Sequence, residues 1–159
     1  MHANALLLQR LFSSLDRRDH DAIAACYCTD ATFTDIAFDL HGRKEIHDMW
    51  RMICTGDIRA TFEVLHADDE SGRVRLIDEY TFSDTGRKVR NAIDSRFVFS
   101  NHLIASHVDT CDARDWGAMA LGGVRGFLAG RVGPLRRAMA TRKLKQFVAE
   151  HSTPALTPE

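Results

Sequence analysis

From Ile58 to Thr110 the chain alternates apolar and polar residues with a period of two, and only short polar turns interrupt the pattern. Four strands are expected there: Ile58 to His66, Arg73 to Ser83, Arg87 to Phe99 and Leu103 to Thr110. Their connections, Asp68 to Gly72, Asp84 to Gly86 and Ser100 to His102, are too short for a crossover. Consecutive strands must therefore pair antiparallel, and a meander becomes the centre of the fold.

Around the meander the apolar period is helical. Leu7, Leu8, Leu11, Phe12 and Leu15 mark a first helix. Asp19 is placed to cap a short second one, which carries Ile23, Cys26 and Tyr27 and ends near Thr29 and Asp30. Ala31 to Asp35 reads as a short strand centred on Phe33, and after Gly42 a third helix buries Ile46, Met49, Trp50 and Ile53 before stopping at Gly56. Helices, a strand, a helix and then four strands make an α+β order. Beyond Asp112, Gly117, Gly122, Gly123, Gly126 and Gly130 thread through Trp116, Met119, Leu121, Val124, Phe127 and Leu128, which predicts a broken or closely packed helix. Pro134 then opens a terminal helix that sets Arg136, Arg137, Arg142, Lys143 and Lys145 against Leu135, Met139, Leu144, Phe147 and Val148. The expected organisation is a core over 1–112, a C-terminal helical extension over 113–151 packed on it, and a flexible tail over 152–159.

Length and charge narrow the partners. A chain of 159 residues supports one core. Its net charge of -1 creates no global field for nucleic acid, so no nucleic-acid partner is expected. No apolar run approaches the roughly 18 residues of a membrane span, and Leu6 to Leu8 is too short for a secretory segment, so the expected compartment is the cytoplasm. There Cys26, Cys28, Cys54 and Cys111 read as reduced, mostly buried thiols. Cys26 and Cys28 find no second pair at zinc spacing, and no glycine-rich phosphate loop occurs, so neither metal nor cofactor is expected.

Polar residues on apolar strand faces point to a site. One face of the second long strand reads Val74, Leu76, Asp78, Tyr80, Phe82; the matching face of the third reads Val89, Asn91, Ile93, Ser95, Phe97, Phe99. Buried polar groups without partners cost a few kcal/mol, so several together favour a wet cavity. On the last strand His107 and Asp109 share a face, a pairing that can fix an imidazole tautomer for proton transfer. Asp35 precedes the apolar Ile36, Ala37 and Phe38, where desolvation would raise a carboxyl pKa toward the range of a useful base. Each also has a plain alternative: a satisfied core pair for His107 and Asp109, a sheet-edge residue for Asp78, a turn residue for Asp35, and core aromatics for Trp50 and Tyr80.

The run Tyr27, Cys28, Thr29, Asp30, Ala31, Thr32, Phe33, Thr34, Asp35 resembles the Y-x-x-D-A-x-F-x-D signature of SnoaL-like members of the nuclear transport factor 2-like superfamily. Gly42, Ile46 and Trp50 are similar to that family's helix opening, and the stretch from Tyr80 to Asp109 resembles its long hairpin, with Asn101, His102 and Leu103 where D-G-K is usual. The resemblance implies a cone-shaped, strongly curved antiparallel sheet with three N-terminal helices closing a pocket, and often a homodimer through the outer sheet face, where Ile77, Val98, Ile104 and Val108 are apolar. It implies no single chemistry. Asp35 matches the general base of ketosteroid isomerases; Ser95 stands about where their protonated Asp would be, and the first helix supplies no matching Tyr. Asp78 and Asp109 could serve in a limonene epoxide hydrolase-like set, but Arg96 has the wrong strand parity for its Arg.

Two readings follow. In the first, Asp35, or His107 with Asp109, moves a proton on a small apolar substrate held by Trp50, Asp78, Tyr80, Asn91, Ser95 and Phe97, as an isomerase, cyclase or dehydratase would. In the second, the same pocket binds a hydrophobic ligand without turnover. For the basic C-terminal helix, packing over the sheet with a solvated face is preferred to membrane or protein contact.

Overall fold

The computed structural model describes residues 1–152. Apart from Ser152, the expected tail lies outside the described residues. Three helices and two strands precede the meander: α1 (Ala3–Asp16), α2 (His20–Ala24), β1 (Tyr27–Thr34), β2 (Asp39–His41) and α3 (Arg43–Ile53). The meander is β3 (Arg59–Ala67), β4 (Ser71–Phe82), β5 (Arg87–Ser100) and β6 (Leu103–Thr110). Three further helices follow: α4 (Ala113–Ala120), α5 (Gly123–Arg131) and α6 (Gly133–His151). The fold is a six-stranded curled sheet of order β2-β1-β6-β5-β4-β3 with six helices, an α+β cone.

The apolar stripes go where the periodicity sends them. Leu8, Leu11, Phe12 and Leu15 of α1 and Ile46, Met49 and Trp50 of α3 are buried in one core with Val74, Leu76, Ile93 and Phe97 of the sheet. Such burial is the main favourable term in folding. Asp19 caps α2 by accepting from the Ala22 amide at 3.0 Å.

Four expectations are corrected. Tyr27 does not end the second helix; it opens β1, which pairs parallel with β6 as Tyr27 opposite Ile104 and Phe33 opposite His107. The sheet is therefore antiparallel except at that one seam. The short β2 went unread because three residues carry no period. Ile104 is fully buried and does not join the outer row, because a bulge in β6 sets Phe99 opposite Ile104 but Val98 opposite Ser106, which shifts the parity of the strand. Of the four free thiols only Cys26 is fully buried; the other three are half-buried.

The glycine-rich stretch forms two helices. A methyl group on Gly117 would stand 2.5 Å from the Gly126 carbonyl oxygen, so α4 and α5 meet backbone to backbone. Ala120, Leu121 and Ala129 then form a small second core on Val89 of the sheet.

Candidate functional site

The wide end of the cone holds a cavity of about 530 Å³, within the usual range for small-molecule sites. Its walls come from the β1–β2 loop, α3, β4, β5, β6 and all three C-terminal helices. Asp35, Trp50, Asp78, Tyr80, Asn91 and Asp109 line it. The structure brings these six together.

Ser95, Phe97 and His107 lie elsewhere: all three are buried in the layer beneath. Strand parity sets the face but not the depth, and at the narrow end Phe12 of α1 packs on Phe97 at 6.0 Å and on His107 at 6.4 Å, filling the cone. The expected ligand contacts of Ser95 and Phe97, and a direct role for His107, are therefore corrected to a supporting layer.

That layer ends on a cavity residue. Trp50 Nε1 donates to the Tyr27 hydroxyl at 3.3 Å, Tyr27 meets His107 Nδ1 at 2.8 Å, and His107 Nε2 meets Asp109 Oδ1 at 2.7 Å. Ser95 Oγ donates to the same Asp109 oxygen at 2.6 Å. Burial pushes the Tyr27 phenol well above its ordinary range, so Tyr27 keeps its proton.

The carboxyls differ in their surroundings. Asp35 Oδ1 accepts from the Ala37 and Phe38 amides at 2.7 and 2.6 Å, which ties the turn between β1 and β2. Desolvation nevertheless dominates, and its pKa rises to about 6. Asp78 is buried, and its Oδ1 has no hydrogen-bond partner. Desolvation first, and the negative charge of Asp109 second, raise its pKa well above its ordinary value. Tyr80, whose hydroxyl accepts from Trp116 Nε1 at 2.9 Å, is pushed up to about 12 by burial.

The C-terminal helices complete the site, which sequence reasoning missed. Arg136 Nε donates to the Ile36 carbonyl at 2.6 Å, its Nη1 to the Ala129 carbonyl at 2.8 Å, and Arg137 donates to the Asp35 carbonyl at 3.0 Å. Two arginines of α6 thus hold the loop that bears Asp35. Trp116, Met139 and Phe147 add apolar wall. No local pattern signals a contact spanning a hundred residues.

Among the described residues one group could hold a divalent ion. His20 Nδ1, Asp21 Oδ1 and His47 Nε2 lie 2.9–3.2 Å apart, and none of the three lines the cavity. Spacing gave no hint of it, because the histidines sit on separate helices.

A curled sheet closed by helices over an apolar cavity with inward carboxyls is an architecture that many families share, so the fold alone assigns no chemistry. The chain belongs to the SnoaL-like domain family, whose model matches residues 8–107. The C-terminal helices lie outside that match. An NTF2-like protein of unknown function from Burkholderia pseudomallei is similar at 17% identity over 76% of this chain and 99% of its own, TM-score 0.67. A protein from Catenulispora acidiphila with a ketosteroid isomerase-like fold, in complex with trimethylamine, shares 13% identity over 72% and 91%, TM-score 0.63. An LEH-like epoxide hydrolase from M. tuberculosis shares 16% over 84% and 95%, TM-score 0.60. No curated protein matches in sequence.

Proposed function

We propose that the chain binds a small apolar molecule bearing an oxygen function and moves a proton on it, in the manner of an isomerase, cyclase or dehydratase. The observation that carries the reading is that one apolar cavity is lined both by Asp35, whose pKa burial raises to about 6, and by Asp78, a buried carboxyl with an unpartnered oxygen whose pKa burial also raises. Asp35, with a pKa of about 6, is largely ionised at pH 7 yet retains basicity. Burial and the Asp109 charge favour the protonated form of Asp78, and a hydrogen bond from it to a substrate oxygen would satisfy its orphaned carboxyl. For a ketone, Asp35 takes the proton from the carbon beside the carbonyl, the C–H electron pair forms the enolate C=C, and Asp78 supports the developing charge on oxygen. Asp35 then returns the proton to carbon. Asp109, anchored by His107 and Ser95, lines the cavity from the strand that lies between those leading to Asp35 and bearing Asp78.

The test is hydrogen–deuterium exchange into small cyclic ketones in heavy water, followed by NMR. The wild type should catalyse exchange beside the carbonyl, and Asp35→Asn should slow it by about 10²-fold or more while ligand affinity persists. Full exchange activity in Asp35→Asn would remove Asp35 as the base.

A non-catalytic binding role is the second reading. It is favoured by Asp35 Oδ1, which both loop amides occupy as an ordinary turn residue would. Ligand binding without any exchange, across ketones, epoxides and alcohols, would establish it. A homodimer through the outer sheet face belongs to either reading, supported by the exposed Val98 and Val108, and light scattering decides it.

A further inference from the structure

α5 wears its faces reversed. Val124, Phe127 and Leu128, at helical spacing i, i+3 and i+4, are 75, 57 and 42% exposed, while Gly126, Ala129 and Gly130 are buried. A helix seeking the core turns its large apolar stripe inward. Here there is no room for it, because α4 and α5 meet at Gly117 and Gly126 without space for a methyl group. Val132 and Leu135 extend the stripe past the helix end. Five of the ten large exposed apolar side chains among the described residues thus fall between 124 and 135, a density that marks a surface built to be covered.

The charge nearby says by what. Between Asp115 and Glu150 the chain has no acidic residue and seven Arg and Lys, although the whole chain carries a net charge of -1. Arg125 and Arg131 stand on α5 itself, with the Arg131 guanidinium 3.9 Å over the Phe127 ring. A second copy docked face to face on this patch would set two such cationic segments against each other. An anionic surface complements them.

We propose that the α5 face docks onto an anionic lipid membrane, with Val124, Phe127 and Leu128 entering the interface and Arg125 and Arg131 of the same helix meeting the headgroups. A basic helix with Phe and Leu on its apolar side binds in this way, lying in the interface without spanning it. Consistent with that, no helix among the described residues is long and apolar enough to cross a membrane. The buried side of the same helix reaches the cavity through Ala129. The docking itself goes beyond the small-molecule reading and does not depend on it.

The experiment is sedimentation of the full chain with vesicles of phosphatidylcholine alone and of phosphatidylcholine with about one-third phosphatidylglycerol, at low and high salt. The wild type should bind the anionic vesicles at low salt and lose binding as salt rises. Phe127→Asp should weaken binding about tenfold or more with an unchanged melting temperature, since the side chain is exposed. Arg125→Glu, which disturbs no hydrogen bond of the described residues, should weaken it too. Wild-type protein that stays in the supernatant with both vesicles at low salt overturns the proposal. So does Phe127→Asp binding as well as wild type, or a wild-type dimer in light scattering that Phe127→Asp dissolves.

Discussion

Asp109 Oδ1 receives hydrogen bonds from His107 and from Ser95, whereas Asp78 Oδ1, its neighbour on the cavity wall, receives none. The difference assigns the hydrogens. With Asp109 accepting, His107 Nε2 donates, Nδ1 must accept from the Tyr27 hydroxyl, and Tyr27 in turn accepts from Trp50, so each member of the chain is satisfied in one direction only. Tyr27→Phe would leave the buried Trp50 N–H and His107 Nδ1 without partners. The expected loss is about 1–3 kcal/mol of unfolding free energy, read by urea denaturation. Nitrogen-15 NMR should show the Nε2–H tautomer of His107 in the wild type and a mixture in Tyr27→Phe. A single Nδ1–H tautomer in the wild type would reverse the chain. Residue by residue, strand alternation made the inner face legible: Asp78, Asn91, Ser95, Phe97 and His107 are all buried. Depth along the cone was not legible, because Phe12, which fills the narrow end, belongs to another element.

Element boundaries were readable wherever a period ran long enough. β5 and β6 fall within a residue of expectation, and β2, at three residues, went unseen. The turn between β5 and β6 shows a local conflict that sequence did disclose. Asn101 and His102 sit at φ of 50° and 59°, the left-handed pair that a two-residue hairpin turn demands and that Asn-Gly satisfies best. His102 is an exposed, β-carbon-bearing residue in that conformation, which costs roughly 1–2 kcal/mol relative to glycine. His102→Gly should therefore stabilise the protein by about 1 kcal/mol, with the melting temperature rising by about 2–4 °C in calorimetry. A fall would show that His102 makes a contact worth more than its backbone strain. The bulge that buries Ile104 follows directly after this turn, and nothing in local composition distinguishes it from regular strand.

At the scale of the whole molecule, the candidate site works against the stability of the chain, and the sign can be worked out from its carboxyls. A carboxyl whose folded pKa exceeds its unfolded value of about 4 stabilises the fold below that unfolded value, relative to neutral pH, and the contribution is lost as pH rises through the folded value. Asp35 spans the window from about 4 to about 6, and Asp78, its pKa likewise raised by burial, contributes a loss of the same sign as pH rises. Each pKa unit is worth about 1.4 kcal/mol, so Asp35 alone costs at most about 3 kcal/mol above pH 6. Asp68 acts oppositely: the Ser71 and Glu70 amides hold its pKa at about 2, so its contribution is present above about pH 4 and lost on acidification. The two trends run in opposite directions across about pH 4, Asp68 favouring the fold above it and Asp35 below it. Asp35→Asn can keep its turn, since an amide oxygen accepts the same two amides, and Asp78→Asn replaces a group whose ionisation burial and Asp109 oppose with one that does not ionise. In urea denaturation the double variant should gain stability over wild type at about pH 7.5 and gain little at about pH 4. An equal difference at both values would mean that neither carboxyl is desolvated, and the pairing of a poised base with a neutral acid would fall with it.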